Sequence, residues 1–336
     1  MLELIMITIV LALLFDFVNG FHDSANAIST VVATKVLTPL QAVGMAAIGN
    51  LIGPLFFTTA IAATMGKGII DTDAIRAILS VQQFTALILA ALIGAIVWDL
   101  ITWVLGLPTS SSHALIGGLI GAASVSVGTK YIIASGVEKV VLFIVLSPLM
   151  GFFAAFIMTV IVMNIVRKNI PSAINHHFRR LQLFSAFFYS VTHGTNDAQK
   201  TMGIITILLV ANGTLSAFNV PLWVILASQL SISFGTFFGG WRIVKTMAQK
   251  ITKLKPYQGF CAETAGGLVL ANMAAIGVPV STTHAISAGI MGVGATQGAK
   301  MVRWGVARNI VIAWIITIPA SAIFAAGAFE VLKVVL

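Results

Sequence analysis

Apolar stretches follow one another along nearly the whole chain, and their lengths match a bilayer rather than a soluble core. The clearest occupy residues 4–18, 40–65, 84–107, 140–166, 181–210, 222–238 and 304–329. A helix needs about 20 apolar residues to cross a hydrocarbon core about 30 Å thick. Several stretches exceed one crossing or are interrupted by Gly, Pro and polar clusters, so about ten to twelve passes or partial passes are expected. Only 9% of the 336 residues are charged and 58% are hydrophobic, against about a quarter charged in a soluble domain. The expected class is an all-α, polytopic transmembrane protein embedded in the lipid bilayer, with almost no soluble portion.

A net charge of +9 would suggest nucleic acid in a soluble protein. Here nine of the nineteen basic residues lie in two short segments: Arg167, Lys168, Arg179 and Arg180, then Arg242, Lys245, Lys250, Lys253 and Lys255. Basic loops stay cytoplasmic, which puts both inside, accounts for the charge and leaves no role for nucleic acid. The uncharged segment 211–220 between them is the turn that such a placement requires. The N-terminus carries Glu3 instead of a basic region and no small-residue cleavage site, so a retained first helix is expected. The single Cys261 excludes an internal disulfide framework and a cysteine zinc site.

The chain is written twice. Gly20-Phe21-His22-Asp23-Ser24-Ala25 is matched by Gly194-Thr195-Asn196-Asp197-Ala198, and Asp23 lies 174 residues before Asp197. Pro108-Thr109-Ser110-Ser111-Ser112-His113-Ala114 is matched by Pro279-Val280-Ser281-Thr282-Thr283-His284-Ala285, with His113 lying 171 residues before His284. Gly118 and Gly121 then match Gly289 and Gly292, while Pro39-Leu40, Gly53 and Phe56 recur as Pro221-Leu222, Gly235 and Phe238. The division read from this is a first transmembrane repeat over 1–166, a basic cytoplasmic linker loop over 167–180 and a second repeat over 181–336. Duplicated halves are typical of secondary transporters, with the site where the repeats meet near the midplane. An N-terminus outside and a basic mid-chain loop inside give the first half an odd number of crossings, which inverts the second.

Polar residues inside apolar segments carry the chemistry. A carboxylate at the bilayer centre costs at least about 2.5–3.5 kcal/mol and so has a partner or a task. Asp23 and Asp197 each follow a glycine by three residues, and glycine permits a non-helical backbone that exposes carbonyls where they line a cavity. A carboxylate with several amide or carbonyl oxygens suits a hard cation such as Na⁺. Asn19, Ser24 and Asn26 can contribute in the first copy, Asn196 and Gln199 in the second. The competing reading is that each aspartate caps a helix break through its own backbone.

The two Pro-led hydroxyl runs suggest an anion site. Proline favours the first helical position, and Ser or Thr there caps the free N–H groups. Such a terminus suits phosphate or sulfate, with Ser110, Ser111, Ser112, Ser281, Thr282 and Thr283 as donors. The alternative is close helix packing by small residues. His113 and His284 read as hydrogen-bonded supports, and His22 and His193 as supports or proton relays. A zinc enzyme was weighed, but no usual His–His or carboxylate–His metal spacing is apparent. Nothing pairs a nucleophile with an activating base, so no enzyme is expected. Lys200 either pairs with Asp197 three residues earlier or approaches the anion. Asp16, Asp99 and Glu263 stand at apparent membrane depth, to couple or gate, or at helix ends near water; Gln82 and Gln83 share that ambiguity.

Gly20-Phe21-His22-Asp23-Ser24-Ala25-Asn26-Ala27 resembles the first signature of the inorganic phosphate transporter (PiT) family of sodium–phosphate symporters. His193-Gly194-Thr195-Asn196-Asp197-Ala198-Gln199-Lys200 resembles the second as prokaryotic members write it, and the two Pro-led runs belong to the same pattern. The resemblance spans the whole chain. It implies two inverted repeats, re-entrant helical hairpins, a homodimer, both termini outside and a multi-pass place in the cytoplasmic membrane. It implies sodium-coupled symport of inorganic phosphate by alternating access, with Na⁺ as coupling ion and no organic cofactor. Asp23 and Asp197, with Asn19, Asn26 and Asn196, would hold sodium. The same two aspartates and the tips formed by Thr109, Ser110, Ser111 and Ser112 and by Ser281, Thr282 and Thr283 would close on phosphate. His22, His113, His193, Lys200, His284 and Glu263 would support or couple these sites. Lys200 stands where the first half has Asn26, a departure from strict internal symmetry. Some relatives are proton-coupled and some prefer sulfate, so a proton-coupled phosphate symporter or a sulfate symporter is the alternative.

Overall fold

A computed structural model describes residues 2–55 and 59–335. Its first half holds α1 (Leu2–Ala33), α2 (Pro39–Ile52), α3 (Ala60–Lys67), α4 (Thr72–Ile78), α5 (Val81–Leu105), α6 (Ser111–Ser126) and α7 (Ala134–Val166). The second holds α8 (Pro171–Ala211), α9 (Leu222–Phe238), α10 (Trp241–Lys245), α11 (Pro256–Ala275), α12 (Thr282–Ala295) and α13 (Trp304–Val335). Among the described residues there is no strand, only an isolated bridge between Ile70 and Ile132. The helix boundaries follow local chemistry. Thr38 and Gln41 form a capping box ahead of Pro39, and Ser80 and Gln83 form another at the start of α5. Gln83 is thus a helix cap. Gly106, at φ +66°, ends α5 in the left-handed conformation that glycine adopts without strain.

Four helices, α1, α5, α7 and α13, are each long and apolar enough to cross a membrane. The bent pairs α2–α3 and α9–α10 raise the number to six if each is one span. This is fewer full spans than the apolar stretches suggest, because much of that length is spent on half-crossings. With 16 residues in α6 and 14 in α12, each reaches only about 20–25 Å at 1.5 Å per residue. Each turns back against the helix before it, α6 against α5 and α12 against α11, with buried tips at 109–112 and 281–283. Non-helical backbone at membrane depth is tolerated when buried in protein in this way.

The halves interlock. α6 packs on α13 and α12 on α7; α2 packs on α8 and α9 on α1. α1 and α8 run antiparallel, since Asp23 and Asp197 meet near their middles while Arg179 Nη2 donates to Lys35 O at 2.8 Å. Even small details recur: Ile133 N donates to Ile69 O at 2.9 Å and Arg303 N to Ile251 O at 3.0 Å. α7 and α13 turn apolar faces outward, with Leu142, Leu149, Phe153 and Ile157 on one and Ile312, Ile315 and Ile323 on the other exposed. Such contiguous apolar faces are what a bilayer would cover.

Four expectations are corrected or bounded by the fold. The backbone is unbroken α-helix through both aspartate motifs, so Gly20 and Gly194 do not expose carbonyls. They admit a neighbour instead: a Cβ at Gly20 would strike Ile232 O, and one at Gly194 would lie 2.5 Å from Asn50 Cα. The segment 167–180 is mostly not a loop, because Pro171 starts α8 and the break shrinks to 167–170. Proline at the first helical position is pre-set for this, and the 41-residue helix, about 60 Å long, projects well past the hydrocarbon core. The second basic segment is largely helical as well, through α10 and the π-helical turn Thr246–Lys250. The repeated Phe56 lies outside the described residues.

Gly121 and Gly292 hold the interlock closely, facing Ala322 O and Phe152 O so that any Cβ collides with backbone. Gly121→Val and Gly292→Val are therefore expected to lower thermal stability in detergent by at least the 1–3 kcal/mol typical of about one overpacked side chain. Gly44→Ala, which meets nothing within 4 Å, should leave the melting curve unchanged.

Candidate functional site: a buried carboxylate pair at the crossing of the two halves

The crossing of α1 and α8 brings Asp23 and Asp197 together, 2% and 0% exposed. One ligand atom each from Asp23, His193 and Asp197 lies within 4.8 Å of the others. The tip of the second hairpin closes on them. Thr282 Oγ1 lies 3.5 Å from Asp23 Oδ2 and 3.3 Å from Asp197 Oδ2, and Thr283 Oγ1 lies 3.2 Å from Asp23 Oδ2. Asn26 Nδ2 donates to the same hydroxyl oxygens, at 3.3 Å to Thr282 and 2.9 Å to Thr283. Tyr189 OH donates to Thr282 O at 3.1 Å, which steadies the tip from α8. Ser281 is the N-cap, accepting from His284 N at 3.1 Å, and Ser110 does the same for His113 N at 3.4 Å in the first hairpin. These serines hold their helix starts, and the residues after them face inward.

Each carboxylate has its own second partner. His22 Nδ1 is 2.7 Å from Asp23 Oδ1, and Lys200 Nζ is 2.5 Å from Asp197 Oδ1. His193 Nε2 lies 3.3 Å from Asp197 Oδ2, four residues along α8. This is a carboxylate–histidine spacing on one helical face that the sequence reading passed over, and His193-x-x-x-Asp197 was the signal for it. The first hairpin tip reaches the pair only indirectly. Thr109 Oγ1 donates to Thr102 Oγ1 at 2.9 Å and lies 3.4 Å from His22 Nε2, which itself lies 3.1 Å from Thr102 Oγ1. Ser111 and Ser112 are buried, but among the described residues neither hydroxyl bonds to a carboxylate of the pair.

Three amide oxygens of the motifs, Asn19 Oδ1, Asn26 Oδ1 and Asn196 Oδ1, are buried with no hydrogen-bond partner among the described residues. An unpaired buried polar atom is costly, and carbonyl-type oxygens beside carboxylates are what a hard cation collects. Asn196 Nδ2 is occupied by Thr192 O at 2.7 Å, which fixes its amide from behind.

Other predicted residues lie elsewhere. Glu263 and Asp99 are fully buried within their helices, not at water-facing ends. Glu263 accepts from Gln182 Nε2 at 2.9 Å and from Ser185 Oγ, tying α11 to α8 away from the carboxylate pair. His113 Nδ1 has no hydrogen-bond partner among the described residues, while His284 has the Ile144 backbone beside its ring. The two rings pack on each other, centroids 4.8 Å apart, and His284 stacks on Trp314 at 4.0 Å. Trp314 Nε1 donates to Pro108 O at 2.9 Å, so this aromatic stack joins the two hairpins.

Two motif residues act on the backbone of the opposite half. Ser24 Oγ accepts from Gly240 N at 2.6 Å, at the break between α9 and α10. Gln199 Oε1 accepts from Ile61 N at 2.9 Å and Ala62 N at 3.3 Å, at the start of α3. Each aspartate motif therefore caps the helix that follows the break in the other half. Asn50 and Gln229, also unforeseen, fill the same region: Asn50 Nδ2 donates to Thr236 Oγ1 at 2.7 Å, and Gln229 Nε2 donates to Asn50 O.

The profile of the phosphate transporter family matches residues 19–173 and 166–325. A protein of Rhizobium meliloti (strain 1021) named as a probable low-affinity inorganic phosphate transporter is 51% identical over 319 residues, covering 95% of this chain and 93% of its own. A protein of Bacillus subtilis (strain 168) with the same name is 43% identical over 336 residues, covering 100% of this chain and 99% of its own. A solved structure described as the sodium-dependent phosphate transporter superposes with a TM-score of 0.89 at 25% identity, covering 99% of this chain and all of the other. On a family match that runs across both halves, carried by relatives of nearly the same length, the chain is a member of the phosphate transporter family.

Proposed function

We propose that this chain carries inorganic phosphate inward together with sodium, by alternating access of a site between two inverted repeats. Phosphate transport is the activity of the family, and it makes the chain a multi-pass membrane carrier rather than an enzyme. Sodium coupling is the finer reading. It is supported by the structural likeness to a sodium-dependent phosphate transporter and by the buried oxygens described above.

The observation that carries the reading is the sharing of Thr282 and Thr283 between the two carboxylates. Those hydroxyls are the natural donors to a phosphate, yet they point at Asp23 and Asp197. Two carboxylates and an anion cannot occupy one dry centre, since like charges about 4 Å apart repel by about 4 kcal/mol at an effective dielectric of 20. A cation at Asp23 Oδ2 and Asp197 Oδ2, completed by the free oxygens of Asn19, Asn26 and Asn196, takes over the acceptors. It releases both hydroxyls to phosphate. Coupling then follows from competition for two donors as well as from charge. The main-chain N–H groups at the start of α12 add donors on the same side, and the tip of α6 offers Ser110, Ser111 and Ser112 from the other half. The serine and threonine donors bind the anion without fixing it, which a carrier needs.

The arrangement also supports a division at 1–166 and 181–336, with the basic segments and the α8 extension in the cytoplasm and both termini outside. The cytoplasmic membrane is the proposed location, and a homodimer the proposed assembly.

Reconstituted protein should accumulate labelled phosphate under an inward Na⁺ gradient, not under a matching K⁺ gradient, with excess sulfate leaving uptake intact. Accumulation driven by a pH gradient alone, or displacement by sulfate, would overturn the reading.

Thr282→Val and Thr283→Val each remove one donor to a charged group, worth about 1.5–3 kcal/mol, so the KM for phosphate should rise about tenfold or more. Asp23→Asn should weaken phosphate and sodium together, because linkage between sites is reciprocal. Unchanged sodium dependence in that variant would remove Asp23 from the coupling role.

A further inference from the structure

Lys200 stands at the position that the internal repeat assigns to Asn26, 174 residues earlier. The two residues do different things. Asn26 directs its amide nitrogen to Thr282 and Thr283 and leaves Oδ1 buried and unpartnered, an oxygen free to coordinate. Lys200 sends an ammonium to Asp197 Oδ1 at 2.5 Å. It is 1% exposed and is the one lysine or arginine among the described buried residues. An ammonium has three donors and no lone pair, so it cannot be a ligand to a metal ion. It can only stand where one would stand.

We propose that Lys200 is a resident cation, built into the chain in place of an exchangeable sodium ion at Asp197 Oδ1, so that the centre takes one sodium where a symmetric one would take two. The inference deepens the sodium-coupled reading and rests on it. The repeat supplies a carboxylate on each side, and each needs a positive partner when phosphate enters. On the Asp197 side the partner is tethered and moves no net charge with the cargo. The remaining exchangeable position is bounded by Asp23 Oδ2, His193 and Asp197 Oδ2, which lie together, and by the free amide oxygens. Asp16 is also fully buried, with Thr201 and Asn19 as side-chain partners, and it lies within electrostatic reach of both Asp197 and Lys200. The lysine therefore sits among carboxylates that hold it in place, rather than facing the hydroxyls that would hold the anion. A lysine that served phosphate directly would instead be expected to bond toward Thr282 and Thr283.

The test counts sodium ions in the full-length purified protein. Equilibrium binding of radioactive ²²Na⁺ with saturating phosphate should give about one ion per chain for the wild type and about two for Lys200→Asn, which restores the residue found at the matching position. In proteoliposomes the Hill coefficient of phosphate uptake for sodium should rise in parallel from about one to about two, its ceiling being the number of sites. Lys200→Arg, which keeps the charge, should stay at about one. The wild-type count needs no variant, so a misfolded Lys200→Asn protein leaves the proposal testable. Two ions bound to the wild type would overturn the lysine inference and leave sodium coupling standing. A Lys200→Asn protein that still binds one ion but loses phosphate affinity would overturn it in favour of a direct phosphate contact. No sodium bound to the wild type but sodium bound to Lys200→Asn would overturn sodium coupling of the natural protein and support the lysine as a sodium substitute.

Discussion

Two carboxylates share a dry crossing point, and much of the architecture can be derived from the need to keep them there. A single ionised carboxylate at membrane depth is already expensive, and a pair adds mutual repulsion. The chain answers with partners in place before any cargo arrives: His22 for Asp23, Lys200 and His193 for Asp197, and Thr282 and Thr283 between them. Every one of these partners comes from α1, α8 or the tip of α12. Their placement requires the two long helices to cross closely, which Gly20 and Gly194 permit by admitting the backbones around Ile232 and Asn50. It also requires a hairpin that ends at the crossing instead of passing through the bilayer, which is why α12 is half a span.

The same motifs reach outward as well as inward. Asp23 faces the centre while Ser24, the next residue, caps the backbone at Gly240; Asp197 faces the centre while Gln199 caps the backbone at Ile61 and Ala62. A helix start in a low-dielectric environment has N–H groups that must find an acceptor. Here the acceptors belong to the aspartate motif of the opposite half. The bend in each broken span and the geometry of the carboxylate pair are therefore held by neighbouring residues on one helix. Movement of either break must act on the motif that carries the aspartate, without any longer chain of contacts.

Much of this was legible in the sequence, for identifiable reasons. Composition gave the membrane class because a bilayer leaves a chain little choice of residue. The internal repeat located Asp23, Asp197 and both hydroxyl runs because each is short and polar against an apolar background. Ser110 and Ser281 behave as the caps that their place after proline suggested. What was not legible depends on the partner across an interface. A glycine reads alike whether it breaks a helix or admits a neighbour, so the unbroken helix at Gly20 and Gly194 was missed. Gln199 and Ser24 read as possible ion contributors because nothing local shows that their acceptors point at another half's backbone. The packing of His113 on His284 and of His284 on Trp314 joins residues far apart in the chain, which no local pattern shows. The basic segment after residue 166 looked like a loop because charge marks the side of a membrane more reliably than it marks secondary structure.

The departure from symmetry matters more than the symmetry. Lys200 against Asn26 is one of several differences between the motifs: His22 stands where the second half has Asn196, and Asn19 where it has His193. With Lys200 in the second half, Asp197 has a tethered amine at Oδ1, while Asp23 has His22 at Oδ1 and hydroxyl neighbours at Oδ2. The centre then responds to ions through one carboxylate. Thr282 is the point where this asymmetry reaches the cargo, because its hydroxyl lies between Asp23 and Asp197. With Asp197 already held by the ammonium, the balance of that hydroxyl tips with whatever occupies Asp23. The differences within a duplicated motif thus leave one acceptor fixed and one responsive. Under the proposed sodium coupling, a single ion would decide whether the tip of α12 donates inward to carboxylate or onward to phosphate.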